Sequence, residues 1–357
     1  MNASSTSHRL TLGALWSKLS SENLVRGDLP EIALPPEHAP VVGRVLMGFL
    51  GWLSGVFLLI SMAAPFYAIF DSVGAFWVIG SILLYVAWKL FTVSKHTEFL
   101  EHFAQSLSVA GQLSILVAFF SLMDKWSGRG ALVIVALFCL ALQTGLLLLI
   151  PHRMHRFMSS LFALCAIAVL FYEAKVEYLF PAFVAAAATV IWLSETQNLA
   201  TQRDSLLRPV GYAAWAILIF VCAVGFADFI RERGTTPGYR SAALAVVLLA
   251  VVFYLTKRAK ASSRGASLLG ALSFSAAAFA APGLIACAIA FVLAYARGHI
   301  RASALALVAA ACYLVGYYYQ INTTLMQKAV SLAFVAAILA ISAFVVSRLN
   351  FASENAQ

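Results

Sequence analysis

Polar side chains inside the apolar segments of this chain recur most regularly in the stretch HTEFLEHFAQSLSVAGQ, residues 96–112. Within it, Gln105, Ser108 and Gln112 follow one another at three- and four-residue intervals, which places them on one face of a helix. Amide groups find no partner in hydrocarbon, so this face must contact protein or water. The stripe predicts either the wall of a cavity or hydrogen bonds between helices, with Gln143 as a candidate partner.

The same stretch begins with four residues of types that bind metals, namely His96, Glu98, Glu101 and His102. Glu98 and His102 are four residues apart and share a helical face. A metal site needs a third ligand, and the HExxH pattern does not occur.

The chain also has no GxxxxGK[ST] or GxSxG motif, so ATP hydrolysis and serine hydrolysis have no sequence support. We predict no metal, no cofactor and no catalytic residue.

Asp228, in VCAVGFADFI, is the carboxylate nearest to the interior of an apolar segment. An ionisable group within a membrane segment suggests a proton or cation site. The alternative is an acid at the membrane interface that is balanced by Arg231 or Arg233. We favour the interfacial alternative and keep Asp228 as a candidate functional residue.

The stretch YYYQINTTLMQKAV, residues 317–330, brings amides, hydroxyls and a lysine between two apolar runs of the C-terminal region. It predicts a hairpin between the last two membrane segments, with three consecutive tyrosines at the membrane interface. The following amides and hydroxyls make the turn and cap the final helix, and a lysine extends back to the surface. The candidate residues of this hairpin are Tyr317, Tyr318, Tyr319, Gln320, Thr324 and Lys328.

The composition assigns the chain to a class. Of its 357 residues 62% are hydrophobic and only 11% are charged, whereas soluble domains carry about 25% charged residues. Apolar runs of about 20 residues recur along the sequence, which predicts an all-α, polytopic transmembrane helix bundle in a lipid bilayer.

The basic residues are scattered between the runs, so the net charge of +9 does not indicate a nucleic-acid partner. Trp192 and other tryptophans near segment ends favour the membrane interface.

The apolar segments divide the chain into three parts. Residues 1–43 hold an amphipathic helix around Leu12 to Leu19 and a Pro-rich linker, residues 44–350 form the transmembrane domain, and residues 351–357 are a short tail. Pro282 and Gly283 divide one long apolar run, and we interpret the halves as two short helices, with re-entrant half-helices as the alternative. About twelve spans result, at residues 44–69, 74–94, 103–123, 130–150, 156–172, 177–194, 209–229, 239–256, 265–280, 283–297, 301–319 and 325–348.

The basic residues predict the orientation. With twelve spans and a cytoplasmic N-terminus, 17 of the 24 Lys and Arg residues fall on the cytoplasmic side. This bias agrees with the positive-inside rule and predicts that both termini are cytoplasmic. The loop FIRERGTTPGYR, with three arginines on the opposite side, departs from it.

The C-terminal quarter carries a family resemblance. APGLIACAIAFVLAYARGH followed by YLVGYYYQINTTLMQKAVSL resembles the end of a bacterial membrane family known as domain of unknown function 4401. EFLEHFAQSLSVAGQ and the N-terminal LWxxL helix are similar to other marks of that family. The resemblance implies a bacterial inner-membrane protein and a neighbour with a GDYxxLxY motif that faces the periplasm. It implies no activity.

Two classes of function remain. The first is a membrane scaffold or assembly partner of a periplasmic-facing neighbour, which needs no charge in the membrane core. The second is a permease for a small or amphipathic solute, which would use the polar face of residues 105–112 and the Pro-broken helices. The scarcity of charges within the spans weighs against ion-coupled transport and favours the scaffold. An enzymatic role comes third.

Overall fold

The structure is a computed structural model, and it describes residues 12–22, 41–70, 73–93, 98–127, 130–223 and 237–320, with seven single residues between 326 and 344. Within these ranges the chain forms helices and turns and no strand. It divides into two units, Met1–Met47 and Gly48–Gln357. Long apolar segments favour helices because a helix satisfies every interior backbone group within the segment itself.

The described part of the chain contains thirteen α-helices, which are numbered here in chain order. They are α1 Leu12–Ser21, α2 Val41–Phe70, α3 Val73–Val93, α4 Glu98–Ser127, α5 Ala131–Leu149, α6 Arg153–Glu173, α7 Phe180–Leu193, α8 Glu195–Ala200, α9 Asp204–Ala223, α10 Pro237–Thr256, α11 Ala261–Ala277, α12 Pro282–Ala296 and α13 Ile300–Gln320.

Helices α2 to α7 and α9 to α13 occupy the positions of the first eleven predicted segments, and most of the twelfth lies outside the described residues. The all-helical fold is therefore as expected, while the polytopic arrangement and the count of twelve spans stay predictions. The place of the amphipathic α1, on the membrane surface or against the protein's own loops, also stays a prediction. Six helices of the described part are long and apolar enough to cross a membrane, at Gly74–Val93, Phe99–Met123, Ala131–Leu149, Arg153–Glu173, Gly238–Thr256 and Ile300–Tyr319.

Helix α12 lies at the centre of the larger hydrophobic core. Eight of its fifteen residues are buried, among them Ile285, Ile289 and Leu293, and helices α6, α7, α9, α10, α11 and α13 contribute side chains around it. Small residues, chiefly alanine, fill much of this core and allow the helices to approach closely. A second, smaller core joins α3, α4 and α5.

Two turns on either side of α12 fix its position. Pro282 begins the helix at a position where its missing N–H is not needed, and α11 ends before it at Ala277. The residues therefore form two short helices, as interpreted from the sequence. After α12, Gly298 has φ +72°, a left-handed conformation that glycine adopts without steric cost. His299 N–H then donates to the carbonyl of Ala294 and closes the helix end.

Glycines allow α4 to pack tightly against its neighbours. Gly80 on α3 faces Gly111 on α4 so closely that a Cβ on Gly111 would lie 2.7 Å from the Gly80 carbonyl oxygen. On α2, a Cβ on Gly51 would lie 2.5 Å from the carbonyl oxygen of Phe99. These contacts hold the polar face of α4 in a defined orientation.

Candidate functional site

The structure separates the residues proposed from the sequence. Gln105 and Gln112 on α4 are both buried, at 2% and 1% exposure. Tyr317, Tyr318 and Tyr319 occupy the end of α13, with Tyr319 76% exposed. Gln320 is the last residue of α13, and its side chain is not described. Asp228, Thr324 and Lys328 lie outside the described residues, so their roles stay predictions.

A chain of buried hydrogen bonds connects α4, α5 and α6. Gln143 Nε2 donates to Gln112 Oε1 at 2.9 Å, and Gln112 Nε2 donates to Ser108 Oγ at 3.0 Å. Ser108 Oγ lies 2.9 Å from His155 Nε2, and Ser159 Oγ lies 3.4 Å from His155 Nδ1. We call these five residues together with Gln105 the polar column. Hydrogen bonding between helices, one of the two expected alternatives for the α4 stripe, is therefore present.

The polar column is not fully satisfied by its own members. A neutral histidine has one N–H and one acceptor nitrogen, so His155 takes the hydroxyl hydrogen of Ser108 or of Ser159, and not both. In either tautomer, the other hydroxyl hydrogen has no acceptor among the described residues. In the described part of the chain, Gln143 Oε1 also has no donor, and neither polar atom of the Gln105 side chain has a hydrogen-bond partner.

Glu101 and His152 lie at the end of the column, one turn of α4 before Gln105. Their side chains approach to 3.7 Å, and the imidazole stacks on Phe91 at a centroid distance of 4.6 Å. Burial lowers the pKa of His152, and the neighbouring Glu101 carboxylate opposes that change only in part. The distance between His152 Nε2 and the Glu101 carboxylate is short enough for an ion pair. The lowered pKa of His152 indicates a neutral imidazole, however, so we treat the contact as a polar one.

A second group of charged residues joins α8, α9 and the start of α13; we call it the charge cluster. Arg208 contacts Glu195 at 2.9 Å and Asp204 at 3.2 Å, and His299 Nε2 lies 3.5 Å from the second oxygen of Glu195. The side chain of Glu195 is only 13% exposed. Arg208 therefore neutralises two carboxylates, one at the first residue of α8 and one at the first residue of α9.

Aromatic and guanidinium groups surround this cluster. Trp192 is 2% exposed and packs against the His299 ring at a centroid distance of 5.0 Å. It is thus covered by protein, rather than exposed at the membrane interface as its position near a segment end suggested. Arg156 donates from Nε to the carbonyl of Leu147 at 3.1 Å and from Nη1 to that of Ser205 at 2.9 Å. The first contact satisfies a carbonyl in the last turn of α5, and the second satisfies a carbonyl of α9 whose usual donor would be residue 209, a proline without an N–H.

An open pocket of about 840 Å³ lies between the beginnings of α4, α6 and α9; we call it the rim pocket. Its charged lining comes from near those helix starts, and includes Glu101, Arg153, Asp204 and Arg208. One to four turns further along α6 and α9 the lining becomes apolar and aromatic. Trp215 lies there at 4% exposure, and its indole N–H has no hydrogen-bond partner among the described residues.

Sequence reasoning missed most of this site. His155, Glu195 and Arg208 lie near the ends of apolar segments, where the ordinary environment of a polar side chain is solvent, so their positions in the sequence do not indicate a buried site. A local signal was present, because Asp204 and Arg208, like His155 and Ser159, are four residues apart. In the described ranges no group of three or more His, Cys, Asp and Glu side chains is arranged to hold a metal ion.

Comparisons with known proteins identify the family. No curated protein and no solved structure matches this chain. A family model described as Domain of unknown function (DUF4401) matches residues 40–349, which confirms the resemblance seen in the sequence. Because that match covers far more than half of the 357 residues, the chain belongs to the DUF4401 family.

Proposed function

We propose that this membrane protein is a permease-type protein that binds a small amphipathic molecule in the rim pocket. The observation that carries the proposal is the change of lining along the pocket, from charged residues at the helix starts to aromatic and aliphatic residues further inside. A volume of about 840 Å³ lies within the range of small-molecule sites. A molecule with a polar head and one apolar chain fits this arrangement.

The charges of the pocket favour a head group with both signs. Glu101 and Asp204 supply carboxylates, while Arg153 and Arg208 supply guanidinium groups. Arg208 is already paired with Asp204 and Glu195, whereas Arg153 is exposed and accessible to an anionic group. The beginnings of three helices also favour an anion at this level. A zwitterionic single-chain lipid, with a phosphate and an ammonium group, has this chemistry.

The test uses fluorescently labelled lysophosphatidylethanolamine and the purified protein in detergent. Wild-type protein should bind the probe saturably, and Ala216→Trp, which fills the pocket wall, should weaken binding at least about tenfold. The matched control is Val190→Trp, which adds the same side chain at a 68% exposed position of α7. Equal binding by all three proteins would reject the pocket as the site.

Binding and passage are separate steps, and a second assay distinguishes them. The second assay adds a membrane-impermeant quencher outside vesicles that carry the probe in both leaflets. A permease should bring probe from the inner leaflet to the quencher faster than in protein-free vesicles. Binding that Ala216→Trp abolishes, without any such acceleration, would retain the pocket and reject the permease. The polar face of residues 105–112, which we expected a permease to use, gives this proposal no support, because Gln105, Gln112 and Gln143 do not line the pocket.

The second candidate is a scaffold that binds a neighbour carrying the GDYxxLxY motif. The observation that favours it is Tyr319, which is 76% exposed at the end of α13 beside the expected hairpin. Substituting Tyr318 and Lys328 by alanine should remove a protein with that motif from the material that co-purifies in mild detergent. Its retention by the double variant would exclude this hairpin as the contact.

A further inference from the structure

Gln105 is the strongest unexplained polar group among the described residues. Its side chain is 2% exposed, and both its Oε1 and its Nε2 are buried without a hydrogen-bond partner in that part of the chain. A primary amide offers two donor hydrogens and two acceptor sites. Buried amides of native proteins are paired with protein groups or ordered water, because an unpaired one loses its hydration without compensation.

The surroundings of Gln105 are polar on both sides along α4. Glu101 lies four residues before it and Ser108 three residues after it, or about 6 Å and about 4.5 Å along the helix axis. His152 and His155 lie opposite these two residues at the start of α6. The site therefore offers several donors and acceptors around one place, as an internal water requires.

The neighbouring column has unfilled hydrogen-bonding capacity of the same kind. One of the hydroxyl hydrogens of Ser108 and Ser159 lacks an acceptor in either tautomer of His155, and Gln143 Oε1 lacks a donor among the described residues. No hydrogen bond joins these two groups to each other in the described part of the chain. Water, which both donates and accepts, completes both kinds of group.

We propose that Gln105 binds internal water, which links the Glu101–His152 contact to the Ser108–His155 hydrogen bond. The hydrated column then extends from the wall of the rim pocket to the middle of α4. It makes His155 accessible to solvent protons although none of its surface is exposed. This proposal is independent of the solute and of its passage across the membrane.

The sign of a stability change tests the proposal. If water satisfies the amide, Gln105→Leu removes paired hydrogen bonds and should lower the melting temperature in detergent by about 2 °C. If the amide is unpaired, the same substitution removes a cost and should raise it. Gln112→Leu is the control, since its amide bonds to protein groups and its loss should lower the melting temperature in both cases.

A direct measurement separates water from a collapse of the site. In protein labelled with ¹⁵N-glutamine, the side-chain NH₂ of Gln105, assigned by its loss in Gln105→Leu, should show magnetisation transfer from water. The side-chain NH₂ of Gln112, whose nitrogen donates to Ser108 and whose oxygen accepts from Gln143, serves as the comparison and should show weaker transfer. Absence of transfer at Gln105, or a raised melting temperature of Gln105→Leu, would overturn the proposal.

Discussion

Gln143 on α5 donates a 2.9 Å hydrogen bond to Oε1 of Gln112 on α4, and both side chains are 1% exposed. The two residues are 31 positions apart, so the bond connects helices rather than turns of one helix. In a membrane, where apolar side chains gain little by leaving lipid for protein, such bonds contribute to helix association.

Removing either amide should destabilise the α4–α5 pair. Gln112→Leu or Gln143→Leu leaves the other buried amide without its partner, which should cost about 1–2 kcal/mol of the free energy of unfolding. The double variant should cost less than the sum of the two, because no unpaired amide remains between them. Reversible unfolding in mixed micelles measures all three values.

Thr144→Val is the control for this cycle. Thr144 adjoins Gln143, but its hydroxyl bonds only to the Leu140 carbonyl of its own helix. Its loss should change the free energy of unfolding by less than about 0.5 kcal/mol. Strict additivity of the two glutamine substitutions would show that the bond does not couple the helices.

How much of this was accessible from sequence depends on the range of each interaction. The need of Gln105 and Gln112 for buried partners follows from their place in an apolar helix, and so does the choice of Gln143 on the adjacent helix. The break at Pro282 likewise follows from the chemistry of one residue.

Apart from the Asp204–Arg208 spacing, the charge cluster had no such local signal, because Glu195 and His299 are separated by four helices of the described chain. Only the packing of α7, α9 and α12 around a common core brings them together. The rim pocket arises in the same way, from the spacing of three helix starts. Trp192 shows the same effect, since tertiary packing buries a side chain whose type favours the membrane interface.

Arg208 should matter more for stability than either of its carboxylates alone. Arg208→Ala leaves Glu195, only 13% exposed, without its cation, and we expect a loss of about 1–3 kcal/mol. Glu195→Gln keeps an acceptor for Arg208 and should cost less. Combining Arg208→Ala with Glu195→Gln should recover part of the loss, as judged by melting temperature in detergent. Arg203→Ala, at an exposed position near the start of α9, provides the control and should be nearly neutral.

His152 should make stability depend on pH. Its pKa is lowered in the folded protein by burial, so below the ordinary value of about 6.5 the unfolded chain binds a proton more readily than the folded chain does. Protonation therefore favours unfolding, and stability falls as the pH decreases through the window below about 6.5. Above that pH both states are neutral at this residue, and its contribution no longer changes.

His152→Gln isolates that contribution. The difference in melting temperature between wild type and variant should shrink or reverse from pH 7.5 to pH 5, because only the wild type acquires a proton at this position. Glu101 and His102 act on the imidazole and are present in both proteins, so their own contributions largely cancel in the difference. Parallel pH profiles of the two proteins would contradict a lowered pKa at His152.

Gly111→Ala should separate α3 from α4. The new Cβ would lie 2.7 Å from the Gly80 carbonyl oxygen and 2.9 Å from Leu84 Cγ, and a backbone carbonyl cannot rotate away as a side chain does. Overpacking of this kind costs about 1–3 kcal/mol. Gly111→Ala should therefore lower the melting temperature in detergent.

The matched control is Gly145→Ala on α5, where a Cβ meets nothing within 4 Å. There alanine should be neutral or stabilising, because it favours the helix over glycine by about 1 kcal/mol. Equal melting temperatures for the two alanine variants would mean that the close approach of Gly80 and Gly111 does not stabilise the bundle.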